Sequence, residues 1–326
     1  MVIDPEVQQL AARLQAKELH AARSGREVMQ VLVQVCSNSQ AGNPQAFFEE
    51  FVAAIQALLA AMPAYAPPLN VMHRLLWRLE KGLAEHASLD EIKTSLANEA
   101  NSYQAWSENA RMLVPRLAAK LIPNGAILFT FTLSETVLNT LRYARARGKT
   151  FHVLVTESRP NNDGLATAAH LEKMGFTVDI SLDACLSEML SRADLMMVGA
   201  EAIMADGSAV CKVGTYPAAL VARAHGVPVY VVVDTMKLNL TSQTGLPLRM
   251  DPIPDEMVLE KPHSEQVKVI GHLFDQTPPE LLTGIVTEKG LMSPAECVGI
   301  MRAMPYSHKL SELLIAWSYR SGSSHA

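Results

Sequence analysis

The chain has no run of lysine or arginine, no paired cysteines and no long apolar stretch, and each absence removes a class of function. With 33 acidic against 28 basic side chains the net charge is -5. A protein that grips nucleic acid through its phosphates carries a basic stripe, so direct nucleic-acid binding is not expected. The four cysteines, Cys36, Cys185, Cys211 and Cys297, stand far apart without a CxxC pair, which suggests neither a zinc site nor a disulfide framework and fits a reducing compartment. No HExxH or HxxxH pair occurs among the histidines, so no metal is expected. No stretch reaches the roughly 18 apolar residues of a membrane span, and the N-terminus lacks a basic-then-apolar leader pattern. The expectation is a soluble, cytoplasmic protein with no membrane partner.

Several fingerprints are missing as well. No GxGxxG follows an apolar run, no GxxxxGK[ST] is present, and no GxSxG elbow occurs. Nicotinamide, flavin and P-loop nucleotide chemistry and the α/β-hydrolase elbow are therefore not indicated, and no cofactor is expected.

What is present falls into two textures. Residues 1–121 read as helices only. Asp4 and Pro5 open one over Asp4–Arg23, Asn43 caps a second whose stripe is Phe47, Phe48, Phe51, Ile55 and Leu58, and Ser88 caps a third long stretch in which Pro115 marks a kink or break. The segment 63–70 reads as a proline-rich joint. From residue 122, β-branched apolar runs alternate with helical patterns of about ten residues, which predicts βαβ units and a doubly wound parallel sheet. The predicted fold class is thus α/β, with an all-helical N-terminal domain (1–121) followed by a Rossmann-like domain for ligand binding and dimerisation (122–326). The tail "RSGSSHA" reads as disordered.

Right-handed crossovers put every strand-to-helix loop on one edge of such a sheet, where ligands bind. The polar residues gather at those loops. Ser134 follows the first strand and suits helix capping, while the free amides of that first turn suit an anion. Arg159 follows the second strand and suits bidentate contact with phosphate or carboxylate, or a pairing that orders its own loop. In "GAEAIMADGSAVCKVGT" Glu201 and Lys212 read either as a tuned acid and base or as a structural ion pair, and Cys211 beside Lys212 as a reactive or a buried thiol.

Taken in order, "GAILFTFTLSETVLNTL", "VLVTESRPNNDG", "DACLSEML", "ADLMMVGAEAIMADGSAVCKVGT", "GVPVYVVVDTMKLN", "RMDP" and "FDQTPPELLTGIVTEKGLMSP" resemble one superfamily. It contains the alpha, beta and delta regulatory subunits of initiation factor 2B, ribose-1,5-bisphosphate isomerase and methylthioribose-1-phosphate isomerase. The resemblance implies a helical domain followed by a Rossmann-like one, homo-oligomers (a dimer, or a hexamer) built mainly through the latter, and a phosphorylated sugar or nucleotide at the strands' carboxyl ends. It also implies that Arg159 and Ser134 contact phosphate or sugar, that Lys212 contacts the ligand, and that Gly199, Gly214 and Thr215 shape the loops around it.

The departures from the isomerases bear on function. Their loop cysteine is replaced by Thr132, their aspartate by Glu201, and the asparagine before the lysine by Cys211. Passing a proton between neighbouring carbons needs groups whose pKa lies near the working pH, and a threonine hydroxyl is a far weaker acid and base than a thiol. The alpha regulatory subunit resembled here also lacks that cysteine and carries "GAE". The sequence therefore points to an initiation factor 2B alpha-like protein that binds a phosphorylated sugar or nucleotide without the usual chemistry. Two alternatives stand beside it: an aldose-ketose isomerase of a phosphorylated pentose with Glu201 and Thr132 (or Cys211) in catalytic roles, and a translation-regulatory subunit acting through other translation-factor subunits.

Overall fold

The computed structural model describes residues 3–16, 18–19, 21–61, 65–245, 250–259 and 266–322. Their elements run in the order α1 (Pro5–Gln15), α2 (Ala21–Asn38), α3 (Pro44–Ala61), α4 (Ala66–Ala84), α5 (Leu89–Ala118), β1 (Ala126–Thr130), α6 (Glu135–Ala146), β2 (Phe151–Thr156), α7 (Asp163–Lys173), β3 (Val178–Ser181), α8 (Leu186–Leu190), β4 (Leu195–Val198), β5 (Ala202–Ile203), β6 (Ala209–Lys212), α9 (Thr215–Ala224), β7 (Val229–Val232), β8 (Phe274–Thr277), β9 (Gly284–Thr287), β10 (Gly290–Met292), α10 (Pro294–Ala303) and α11 (His308–Gly322). A helical N-terminal region is thus followed by a mostly parallel sheet with helices.

Local chemistry starts the helices where the sequence suggests. The Glu6 amide donates to Asp4 Oδ1 at 2.9 Å and the Ala46 amide to Asn43 Oδ1 at 2.9 Å. Ser88 and Glu91 close a reciprocal capping box, with Ser88 N donating to Glu91 Oε2 at 2.8 Å and Glu91 N to Ser88 Oγ at 3.3 Å. Expectations at four places are corrected in whole or in part. The single helix over Asp4–Arg23 is two, α1 and α2, with Leu19 still buried. The expected joint at 63–70 is helix from Ala66 on, with Pro67 and Pro68 in its first turn, where a missing N–H costs nothing because those amides have no partner within the helix; residues 63–64 lie outside the described residues. Pro115 does not break α5, which continues to Ala118; the one carbonyl it orphans belongs to exposed Arg111. The last helix reaches Gly322, so the start of the expected disordered tail is helical, and 323–326 lie outside the described residues.

The chain divides into two compact units, one of Met1–Glu108, Leu238–Arg249 and Met301–Ala326, the other of Asn109–Lys237 and Met250–Ile300. The sequence reading placed its boundary at residue 121 and kept everything after it together. Long-range contacts explain why two later segments join the helices. In the first unit Asn70 Nδ2 donates to the Leu238 carbonyl at 2.6 Å, and the Ser307 amide donates to His73 Nδ1 at 3.2 Å while the His73 ring stacks on Tyr306. His73 is fully buried, and burial pushes its pKa down to about 3, so it stays neutral and accepts that bond.

The second unit holds a seven-stranded sheet in the order β10-β9-β7-β4-β1-β2-β3, parallel except for β10, and a three-stranded antiparallel sheet in the order β5-β6-β8. All four residues of β4 are buried, as are Leu128 and Phe129 of β1 and Val153 and Leu154 of β2, whose alternate side chains point to opposite faces. Burial on both faces is why these strands read as continuous apolar runs. The order reverses between β1 and β4, and their carboxyl ends open the crevice where such sheets bind ligands.

Gly164 fixes where α7 meets the sheet. A Cβ there would lie 1.6 Å from the carbonyl oxygen of Thr156 at the end of β2. Gly164→Ala is expected to lower stability by about 3 kcal/mol or more, because the obstacle is backbone and cannot rotate away. Urea denaturation checks this, and a loss below about 1 kcal/mol would show that α7 can slide.

Candidate functional site at the carboxyl edge of the sheet

β1 ends at Thr130, and the loop behind it turns sharply through Thr132, whose φ of 64° lies in the left-handed region that a β-branched residue avoids. Holding such a residue costs about 1–3 kcal/mol, and the conformation persists only where its neighbours enforce it. Here α7 enforces it: Thr167 Oγ1 donates to the Thr132 carbonyl at 2.9 Å, and Thr132 Oγ1 donates to Asp163 Oδ2 at 3.2 Å. Two residues on, Ser134 caps α6 by accepting from the Val137 amide at 3.4 Å. Gly199 passes directly against this cap, where a Cβ would lie 2.4 Å from Ser134 Oγ, so the ends of β1 and β4 meet with no room for a larger residue.

Arg159 leaves the end of β2 in a loop gathered by Asp183. The Ser158 amide donates to Asp183 Oδ1 at 2.9 Å and the Arg159 amide to Asp183 Oδ2 at 2.7 Å. Among the described residues the guanidinium itself is held by a neutral acceptor, with Nη2 donating to the Met257 carbonyl at 2.8 Å.

The sequence places Glu201 and Lys212 close together, but the structure gives each another partner. Glu201 Oε2 lies 3.0 Å from Lys237 Nζ, and Lys212 Nζ lies 3.3 Å from Asp163 Oδ2 and over the Phe274 ring. The reason is geometric: Glu201 precedes β5, whereas Lys212 ends β6, where it pairs in register with Phe274 of β8. Asp163, Lys237 and Asp275 are the residues that sequence reasoning missed. Asp163 sits at a helix start, a usual place for an aspartate, so its spacing alone gave no reason to connect it with Lys212.

Cys211 is 1% exposed, and its thiol is pushed well above its ordinary value by burial first and then by the nearby Asp275 and Glu201 carboxylates. It is a neutral, enclosed group. Asp275 faces Cys211 across the β6–β8 pair and closes the start of α9. Gly214, at a φ of 100°, donates its amide to Asp275 Oδ2 at 2.7 Å, and the Tyr216 amide donates to the same oxygen at 3.0 Å. Thr215 Oγ1 donates back to the Lys212 carbonyl at 2.7 Å, so the Lys212–Thr215 turn is tied at both ends. A side chain at Gly214 would strike the Phe131 ring at 2.6 Å. Among the described residues no group of three or more His, Cys, Asp or Glu is placed to hold a metal, and no helix is long and apolar enough to cross a membrane.

Thr132, Ser134, Gly199, Lys212 and Asp163 therefore form one connected patch at the reversal point of the sheet. The model of the initiation factor 2 subunit family matches residues 18–294. The chain belongs to that family. It is 26% identical over 307 residues to a ribose 1,5-bisphosphate isomerase of Thermococcus kodakarensis, covering 93% of this chain and 95% of that protein. It is 32% identical over 217 residues to translation initiation factor eIF2B subunit alpha of Dictyostelium discoideum, covering 64% of this chain and 68% of that protein. In fold it is similar to a translation initiation factor eIF-2B of Pyrococcus horikoshii, with a TM-score of 0.72 at 23% identity over 90% of this chain and 99% of that one. The family thus includes proteins named as isomerases and proteins named as initiation-factor subunits.

Asp275 gives this edge a pH signature. Burial raises its carboxyl to about 6 from 3.8, against the opposing pull of the Tyr216, Gly214 and Thr215 amides. A carboxyl whose pKa is raised by folding binds its proton more tightly in the folded state. Its contribution is fully present below the unfolded value and is lost as pH rises through about 6. The difference between the two values corresponds to roughly 3 kcal/mol. Unfolding free energies at pH 4, 5.5 and 7 are expected to show this loss in the wild type and not in Asp275→Asn; equal slopes in both proteins would remove Asp275 as the cause.

Proposed function

We propose that this family member binds a phosphorylated sugar or nucleotide at the carboxyl edge of its sheet and does not perform the aldose-ketose isomerisation named in several of its relatives. The observation that carries this reading is the state of Thr132. Its hydroxyl is committed to Asp163, and the thiol that could replace it, Cys211, is buried and protonated. The carboxylate of Glu201 is engaged by Lys237. An isomerase needs a pair of groups that give and take a proton on adjacent carbons near neutral pH. Thr132 and Glu201 as held here do not make such a pair.

Features that suit an anion support the binding half of the reading. The Arg159 guanidinium donates to a carbonyl, not a carboxylate, and the helix-start amides behind Ser134 favour negative charge. The similarity to an initiation factor subunit supports a role exerted through homo-oligomers and other translation-factor subunits rather than through turnover. Light scattering on the purified protein tests the homo-oligomer, for which a monomer would be the refuting result.

A ligand that binds only the native state, present at about 100 times its Kd, adds about 2.7 kcal/mol of stability. Ribose 5-phosphate or AMP is therefore expected to raise the melting temperature by several degrees, and Arg159→Ala to abolish the rise. Supplied with ribose-1,5-bisphosphate or methylthioribose-1-phosphate, the protein is expected to form no ketose. Rapid ketose formation would establish the isomerase alternative, and a shift that survives Arg159→Ala would move the phosphate elsewhere.

A further inference from the structure

A pocket for phosphate is limited by the cations it can turn toward the ligand. Among the described residues, three stand within a few positions of the ends of β2, β6 and β7: Arg159, Lys212 and Lys237. Two of them are already neutralised. Lys237 lies 3.0 Å from Glu201 Oε2, and Lys212 lies 3.3 Å from Asp163 Oδ2, with the Lys212 and Asp163 side chains only 15% and 24% exposed. Arg159, by contrast, rests on a carbonyl.

The Lys212–Asp163 pair differs from an exposed ion pair in that the backbone carrying Asp163 cannot move aside. It opens α7, where the helix N-terminus favours a negative charge. The next residue, Gly164, is seated against the Thr156 carbonyl with no space to move inward, and Thr167 ties the same helix to the Thr132 backbone. The hydroxyl of Thr132 adds a second donor to the same carboxylate oxygen that Lys212 faces. A phosphate approaching Lys212 therefore meets a fixed carboxylate about one contact away, and at such distances and partial burial like charges repel strongly.

We propose that Asp163 is a specificity-determining residue: by neutralising Lys212 it confines this pocket to ligands with one phosphate group and excludes bisphosphates. The inference rests on the ligand-pocket reading above and deepens it. It names the chemical class as a phosphomonoester on a hydroxylated sugar skeleton, whether a free sugar phosphate or a nucleoside monophosphate.

The experiment compares ribose 5-phosphate with ribose-1,5-bisphosphate by calorimetry at fixed ionic strength, on the wild type, Asp163→Asn and Asp163→Asn/Lys212→Met. The wild type is expected to gain nothing from the second phosphate. Removing the Asp163 charge is expected to shift the ratio of the two Kd values toward the bisphosphate by about tenfold or more, the factor one charge-assisted contact supplies. Loss of Lys212 is expected to cancel that shift. A ratio that stays within about twofold of wild type, or a shift that persists without Lys212, overturns the proposal. Should Asp163→Asn fail to fold, Asp163→Ser removes the charge and keeps a residue suited to a helix start.

A parallel titration of melting temperature with inorganic phosphate separates this inference from the reading beneath it. If neither sugar phosphate binds any of the proteins, the proposed function fails. The phosphate titration still decides Asp163: a larger rise in Asp163→Asn than in wild type supports its role, and equal rises refute it.

Discussion

Everything at the carboxyl edge depends on how closely α7 approaches the end of β2. Because Gly164 sits where even a methyl group would overlap the Thr156 carbonyl, the first turn of α7 is held against the sheet. That seating carries Asp163 to Thr132 and Lys212, and brings Thr167 under the Thr132 carbonyl. The unfavourable backbone of Thr132 is then supported from one helix by two hydrogen bonds. One steric constraint thus fixes a strained loop, a carboxylate and the partner of a lysine.

The second constraint is charge in a partly enclosed place. Lysines at the edge pair with carboxylates from other loops, so their charges are balanced before any ligand arrives. Among the described residues the Asp275 carboxylate instead accepts from backbone amides at the start of α9, with its other oxygen buried and unpartnered, and burial outweighs those amides. Cys211, facing it, is driven the same way toward its neutral form. The interior side of the site therefore favours uncharged groups, while its outer side is polar and paired.

The sequence made the local features readable, because they depend on residues a few positions apart. The caps at Asp4, Asn43, Ser88 and Ser134 and the alternation of strands and helices after residue 122 are of this kind. The effect of proline depends on where in a helix it falls: Pro67 and Pro68 stand in a first turn rather than a joint, and Pro115, near a helix end, does not break α5. The site residues named from sequence follow β1, β2 and β4 or lie in and just after β6, but their pairings do not follow from spacing. Lys212 meets Asp163, and Glu201 meets Lys237, only because β5 and β6 fold into a small antiparallel sheet whose two- and four-residue strands are too short to show a period. The grouping of Leu238–Arg249 and Met301–Ala326 with the helices rests on contacts such as Asn70 with Leu238, which no local pattern records.

Family membership settles the scaffold and leaves the chemistry to individual residues, as expected where one fold hosts several functions. What residue 132 can do at this edge depends on more than its identity. Nucleophilic or proton-transferring thiols work as thiolates, and a thiolate needs a net positive charge or a helix start beside it. At Thr132 the nearest ionic partners are Asp163 and, through it, Lys212, a pair with no net charge whose negative member stands closer. That pair suits a neutral hydroxyl donor at residue 132 and supplies no net positive charge for a thiolate, which would have the start of α6, capped two residues on by Ser134, to favour it. Thr132 and Asp163 belong to one arrangement, in which a polar network holds the loop in shape.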